Sequence, residues 1–173
     1  MLLNERAEFA LARQLRQTGA PLGEVFSFLS GLYFRGKLTY ARAFAEPARD
    51  TSGIFIITAG RGLLDPSTIV SPQDLREFQS IPISENEPRY RDPLVQDAQH
   101  LAATFPAAKF VLLGSLATRK YTAALQPIFA DRLLFPAAFI GRGDMSRGSL
   151  LLRAVDDGRQ LDYLPISSLN TEN

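Results

Sequence analysis

Three apolar runs, each followed by a loop of glycine and basic residues, constrain this chain more than any other feature. Residues 53–57 (GIFII) lead into 59–62 (AGRG), 110–113 (FVLL) into 114–120 (GSLATRK), and 133–140 (LLFPAAFI) into 141–148 (GRGDMSRG). Short apolar runs bounded by turn residues read as buried strands. As neighbouring parallel strands they would gather their three loops at one sheet edge, where open α/β sheets bind ligands. Glycine lets backbone N–H groups approach a ligand, and arginine offers a fixed fork of donors to an anion. The pattern predicts an anion- or nucleotide-binding edge. It leaves the ligand, and whether any reaction occurs, open.

Helical periodicity fills much of the remainder. Residues 4–17 read as an amphipathic helix that Asn4 can cap, with Phe9, Leu11 and Leu15 on the apolar face. A longer helix is predicted over 23–45, and within it Gly31 and Gly36 each mark either a break or a close helix crossing. Residues 46–53 form a linker. A short helix is expected near 71–78, with Ser71 as N-cap, Pro72 at the first helical position and Asp74 in the first turn. Further helices are expected over 91–105 and 120–129. Residues 149–155 and 160–166, joined by the turn 156–159, read as a β-hairpin whose Pro165 places the returning strand at an edge or near its own end. The expected fold class is α/β in a single domain. A helical N-terminal part (1–46) packs on a mostly parallel sheet of three or more strands (53–166) with a C-terminal β-hairpin.

Composition narrows the chemistry. With 173 residues the chain fits one domain, and 19 basic against 18 acidic residues leave a net charge of +1. Bulk charge is therefore not expected to hold nucleic acid, although a local basic edge is compatible with it. Cysteine is absent, which removes disulfides, thiolate metal sites and cysteine nucleophiles. His100 is the one histidine, so no transition-metal site is expected. No apolar stretch reaches membrane-spanning length and the first residues show no signal-peptide core, so a cytoplasmic protein is expected.

The loops supply the candidate site residues. Segment 114–120 has the spacing of a phosphate loop, but Arg119 stands where the second glycine belongs and Tyr121 where the magnesium-binding hydroxyl belongs. What survives is simpler: Ser115 or Thr118 to cap a helix, and Lys120 with Arg119 to add charge. In 141–148, Arg142 and Arg147 can clamp a phosphate or carboxylate, and Asp144 is the best acid/base candidate. Arg61, between Gly60 and Gly62, projects from a tight turn. Against each stands a structural alternative: a plain strand-to-helix turn, an internal Arg–Asp pair, the start of the next turn. No cofactor is assigned. Arg35, Gly36 and Lys37, with Tyr33, Phe34 and Tyr40, mix basic and aromatic residues. Such a mixture stacks on bases in nucleic-acid binders, and elsewhere is a buried aromatic helix face with snorkelling basic ends. His100, Asp92 and Asp97 read as ordinary helix residues.

Segments 30–37, 57–64, 112–121 and 141–148 together resemble a family of bacterial proteins labelled only as hypothetical, over most of the chain from about residue 19 onward. The family often has glycine at the position of Arg119. It implies no established activity and transfers no catalytic residue. More weakly, the Gly-Leu-Leu-Asp-Pro stretch at 62–66, with Gly114 and Tyr121, is similar to small α/β domains associated with modified-guanine base metabolism, which implies a nucleotide. The leading expectation is binding of a nucleotide or other small anionic, phosphorylated ligand, with transferase or hydrolase chemistry left open. A protein-interaction module using the N-terminal helices, as in a homo-oligomer, and a nucleic-acid-associated protein using Arg35, Lys37, Arg119 and Lys120 are the alternatives.

Overall fold

In the computed structural model, which describes residues 1–171, the first helix begins later than the apolar spacing predicts, as α1 (Ala10–Gln17). Asn4 caps a local turn instead, its side-chain oxygen accepting from the Arg6 N–H at 2.9 Å. After α1, Gly19 takes a left-handed φ of 77° and turns the chain into β1 (Ala20–Pro21). The long helix α2 (Leu22–Phe44) is interrupted at Gly31, where φ is 69° and ψ is −151°. Gly36 stays helical and is buried at a helix crossing. The two glycines thus take the two roles the sequence offered them.

The first apolar run does not join the other two. It forms β2 (Ile56–Ile57), which pairs antiparallel with β3 (Leu63–Leu64). Gly60 at φ 106° and Gly62 at φ 60° reverse the chain between them. The Thr58 N–H and hydroxyl both donate to the Gly62 carbonyl, at 2.8 and 2.9 Å. A hairpin replaces the expected parallel crossover because the turn closes on itself before any helix can start. β4 (Ile69–Val70) then pairs antiparallel with β1. α3 (Pro72–Ser80) starts on the predicted cap, with Ser71 and Asp74 exchanging side-chain-to-backbone hydrogen bonds in a capping box. α4 (Pro88–Thr104) buries Tyr90, Leu94, Ala98 and Leu101 along one face.

The second and third runs are neighbours, as predicted. β5 (Phe110–Val111) lies parallel to β6 (Leu133–Pro136), with α5 (Thr122–Phe129) crossing between them. α6 (Asp144–Asp156) follows, and β7 (Tyr163–Pro165) pairs antiparallel with β6. The order β5-β6-β7 is a mixed sheet, so the architecture is mixed α/β without the mostly parallel sheet expected. Pro165 lies on the edge strand, where a missing N–H does least harm. The C-terminal hairpin is also corrected: residues 149–155 are helical, in α6. Gly148, Leu151 and Ala154 are buried at three-residue spacing, a helix period and not a strand alternation.

Three apolar clusters fill the interior. The first joins α1, β1, the start of α2 and α3. The second joins α4, α5 and the sheet. The third, around Tyr40, Phe139, Leu151 and Ala154, is built where the second half of α2 packs on α6. Among the described residues no helix is long and apolar enough to cross a membrane.

Candidate functional site

The α2–α6 crossing is close because glycine meets glycine. A Cβ on Gly36 would lie 3.0 Å from the Gly148 carbonyl oxygen, and one on Gly148 would lie 3.2 Å from the Tyr33 Cα. Backbone against backbone leaves no side chain to move aside. Around this crossing the sequence sets charge. Tyr33 and Lys37 are four residues apart on α2 and share a face, so the Lys37 Nζ lies 4.3 Å from the Tyr33 ring centre and 5.6 Å from that of Phe34. On α6, Arg147 projects one residue before Gly148. Its guanidinium lies 5.4 Å from the Phe139 ring centre, and its Nη2 donates to the Phe139 carbonyl at 3.4 Å.

The loop after β5 comes to the same place. The Tyr33 hydroxyl donates to the Leu113 carbonyl at 3.0 Å, tying α2 to the residue before Gly114. Gly114 lies under the Tyr121 ring, which a Cβ there would meet at 2.8 Å. Lys120 is held from behind by the Tyr90 hydroxyl, which donates to its carbonyl at 2.8 Å, and its Nζ lies 5.0 Å from the Tyr121 ring centre. Two of the expected loops, 114–120 and 141–148, therefore do meet, but against α2 and not along a sheet edge.

Charge compensation in this niche is incomplete. The charges that reach the Lys37 ammonium are Asp144, which is attractive, and Lys120 and Arg147, which are repulsive. Among the described residues Lys37 has no carboxylate within 4.0 Å, and Arg147 meets only Asp144, at 4.0 Å. The Arg147 side chain is just 12% exposed, whereas that of Asp144 is 70% exposed. The Arg147 Nε is buried and has no hydrogen-bond partner among the described residues. Burial, with the two neighbouring cations, lowers the Lys37 pKa from its ordinary 10.5 to about 8, against the pull of Asp144. Burial pushes the Tyr33 phenol up, while a hydrogen bond with Arg147, and then that residue's charge, pull it the other way.

The remaining expected residues stand elsewhere or do other work. Arg61 is held by Asp74 and Glu77 of α3 and is not among the charges that reach Lys37. Arg142 is exposed and donates to the Ser146 hydroxyl at 3.0 Å. Ser115 caps no helix: its Oγ accepts from the Ala117 N–H at 3.2 Å, and α5 begins later with no side-chain cap. Thr118 is exposed on the loop, and Arg119 pairs with Glu85 at 3.5 Å. Asp144 opens α6, after Gly143 at an N-cap that carries no side-chain hydrogen bond. His100 is exposed on α4, and Asp97 accepts from the Leu63 N–H at 2.9 Å. Lys37 and Tyr33 were expected only in the basic and aromatic mixture of the nucleic-acid alternative, not among the anion-binding loop residues. Their signal was present in the four-residue spacing beside a glycine at a close crossing. Two open hollows of about 360 and 400 Å³ lie away from this niche, one beside Phe28, Arg35 and Arg42, the other beside Leu2, Arg16 and Arg76. Neither gathers uncompensated buried charge, so the niche is the better candidate.

Comparison with protein-family models, with curated proteins and with solved structures finds no match to this chain.

Proposed function

We propose that this protein binds a phosphorylated small molecule, nucleotides included, in the niche formed by Lys37, Lys120 and Arg147. One observation carries the reading: two largely buried cations share a single, exposed carboxylate, and one arginine donor has no partner. A buried charge is costly unless it is paired, and an unfilled buried donor adds on the order of 1–3 kcal/mol. An anion in the niche relieves both penalties. Arg147 offers a planar fork and the two lysines offer point charges, a combination suited to phosphate oxygens. The N-terminus of α6 adds a favourable dipole on the same side.

A thermal-shift screen tests this. Nucleotides, phosphosugars and inorganic phosphate should raise the melting temperature in a saturable way, and the unphosphorylated nucleosides and sugars should not. Equal shifts from phosphorylated and unphosphorylated compounds would remove the anion from the account. A second reading, self-association through the N-terminal helices, is favoured by the stacked Phe9 and Phe28 rings. Their centres lie 5.0 Å apart, and both residues are exposed beside Leu29. Sedimentation of wild type and Phe28→Ser separates it: a dimer lost in the variant supports it, and a monomer in both removes it.

A further inference from the structure

Resting on that anion-binding reading, we propose that Lys37 is the reactive amine of the niche. It adds to the carbonyl carbon of a phosphorylated aldehyde or ketone whose phosphate is held by Lys120 and Arg147. The geometry sets Lys37 apart from the other amines. The chain contains three lysines, Lys37, Lys109 and Lys120. Lys109 is exposed. Lys37 is packed against two aromatic rings at a glycine-on-glycine helix crossing, with no carboxylate within 4.0 Å among the described residues. Every element packed against it contributes to its electrostatic setting. Tyr33 and Phe34 of its own helix present ring faces, α6 presents Asp144 and Arg147, and the loop before α5 presents Lys120.

These surroundings favour the neutral amine, the form that has a lone pair to give. With a pKa near 8 in place of 10.5, the neutral fraction at pH 7.4 rises from about 0.1% to roughly a fifth. The Nζ lone pair forms a bond to the carbonyl carbon as the C=O π pair moves onto oxygen. That oxygen takes a proton to give the carbinolamine. The hydroxyl and the remaining amine proton leave together as water, and the nitrogen lone pair forms the C=N bond between Lys37 and the ligand. The balance is amine plus carbonyl giving imine plus water, with no change of oxidation state. Lys120 and Arg147 hold the phosphate and so place the carbonyl beside Nζ, which is the proximity term in this step.

Pyridoxal 5′-phosphate followed by borohydride, with peptide mapping by mass spectrometry, tests the proposal on the whole protein. Hydride from the borohydride fixes any imine as a stable secondary amine. The phosphopyridoxyl group should be found on Lys37 at no less than about ten times its level on Lys109, and inorganic phosphate should suppress it. Pyridoxal without the phosphate should label Lys37 far less. Lys37→Arg, which keeps the positive charge but removes the primary amine, should lose the label. Label that favours Lys120 or Lys109, or that is insensitive to phosphate, overturns the proposal. An unlabelled Lys37 in protein that binds phosphate overturns the amine and leaves the anion site standing. Protein that does not bind phosphate overturns both.

Discussion

Removing the Lys37 charge should stabilise the ligand-free protein, and the effect should depend on pH in a defined window. One pKa unit corresponds to about 1.4 kcal/mol, so lowering Lys37 from 10.5 to about 8 means that keeping it charged in the fold costs on the order of 3 kcal/mol. The sign follows from linkage. Below pH 8 the ammonium is protonated both folded and unfolded, and the penalty is present in full. Between pH 8 and 10.5 the unfolded chain holds more protons than the folded one, so stability rises with pH. By pH 10 the Lys37 contribution is roughly 2.5 kcal/mol, read as the change in the difference between wild type and a variant without the lysine. From about pH 9.5 the wild-type trend should flatten and reverse. Tyr33, Tyr40 and Tyr90 all have phenols raised chiefly by burial, so their unfolded counterparts ionise first and draw the equilibrium toward the unfolded chain. Lys37→Met keeps the apolar stem and removes the charge. It forgoes a cation–π contact of about 0.5–1 kcal/mol, which leaves the variant roughly 2 kcal/mol more stable than wild type at pH 7. Urea denaturation of both proteins from pH 6 to 11, in buffers free of phosphate, measures this. The gap between the variant and the wild type should close from pH 8 to 10, with both curves bending down together as the tyrosines ionise. Parallel curves across that window, or a variant less stable than wild type at pH 7, would refute the reasoning.

Three further outcomes follow from other parts of the structure. Gly148→Val should destabilise the fold by about 1–3 kcal/mol in chemical denaturation, because its Cβ would press on the α2 backbone 3.2 Å from the Tyr33 Cα. Arg61→Ala should cost about 1 kcal/mol at most, since its pairs with Asp74 and Glu77 are largely solvated, and it should leave phosphate affinity unchanged. Ser71→Ala removes the acceptor of a complete capping box and should cost about 1 kcal/mol, seen as faster amide exchange in the first turn of α3.

Local signals in the sequence were read well where the deciding interaction is local. Ser71, Pro72 and Asp74 cap α3 from within four residues, and that pattern needs no tertiary context. Gly31 and Gly36 announced two anomalies, but the sequence did not say which was the break, because the answer lies in Gly148, more than a hundred residues away. The run 149–155 was misread because apolar stretches of seven residues suit a strand or a buried helix equally. The buried spacing of Gly148, Leu151 and Ala154 settles it only when α2 is present to cover that face. The first apolar run was assigned to the wrong sheet for a similar reason. Gly60 and Gly62 signalled a turn, but not that it would close as a hairpin. For the proposed site, the basic residues on glycine loops divide by their surroundings. The charges of Lys120 and Arg147 both reach Lys37, whereas Arg61 is taken by α3 and Arg142 is exposed. Lys37 was named only for the nucleic-acid alternative, because its burial and its charged neighbours on two other segments are not written in residues 35–37.

The central claim, that an anion completes the buried charge of this niche, is tested most directly by calorimetric titration of inorganic phosphate at pH 7 and low salt. Wild type, Arg147→Met, Lys120→Met and Arg142→Ala are compared, with melting curves to confirm that each is folded. Losing a charge-assisted contact of about 1.5–3 kcal/mol weakens binding roughly tenfold to more than a hundredfold, and this should be seen for Arg147→Met and Lys120→Met. Arg142→Ala should bind as wild type does. Phosphate that fails to bind wild type, or that binds folded Arg147→Met and Lys120→Met undiminished, would contradict the account.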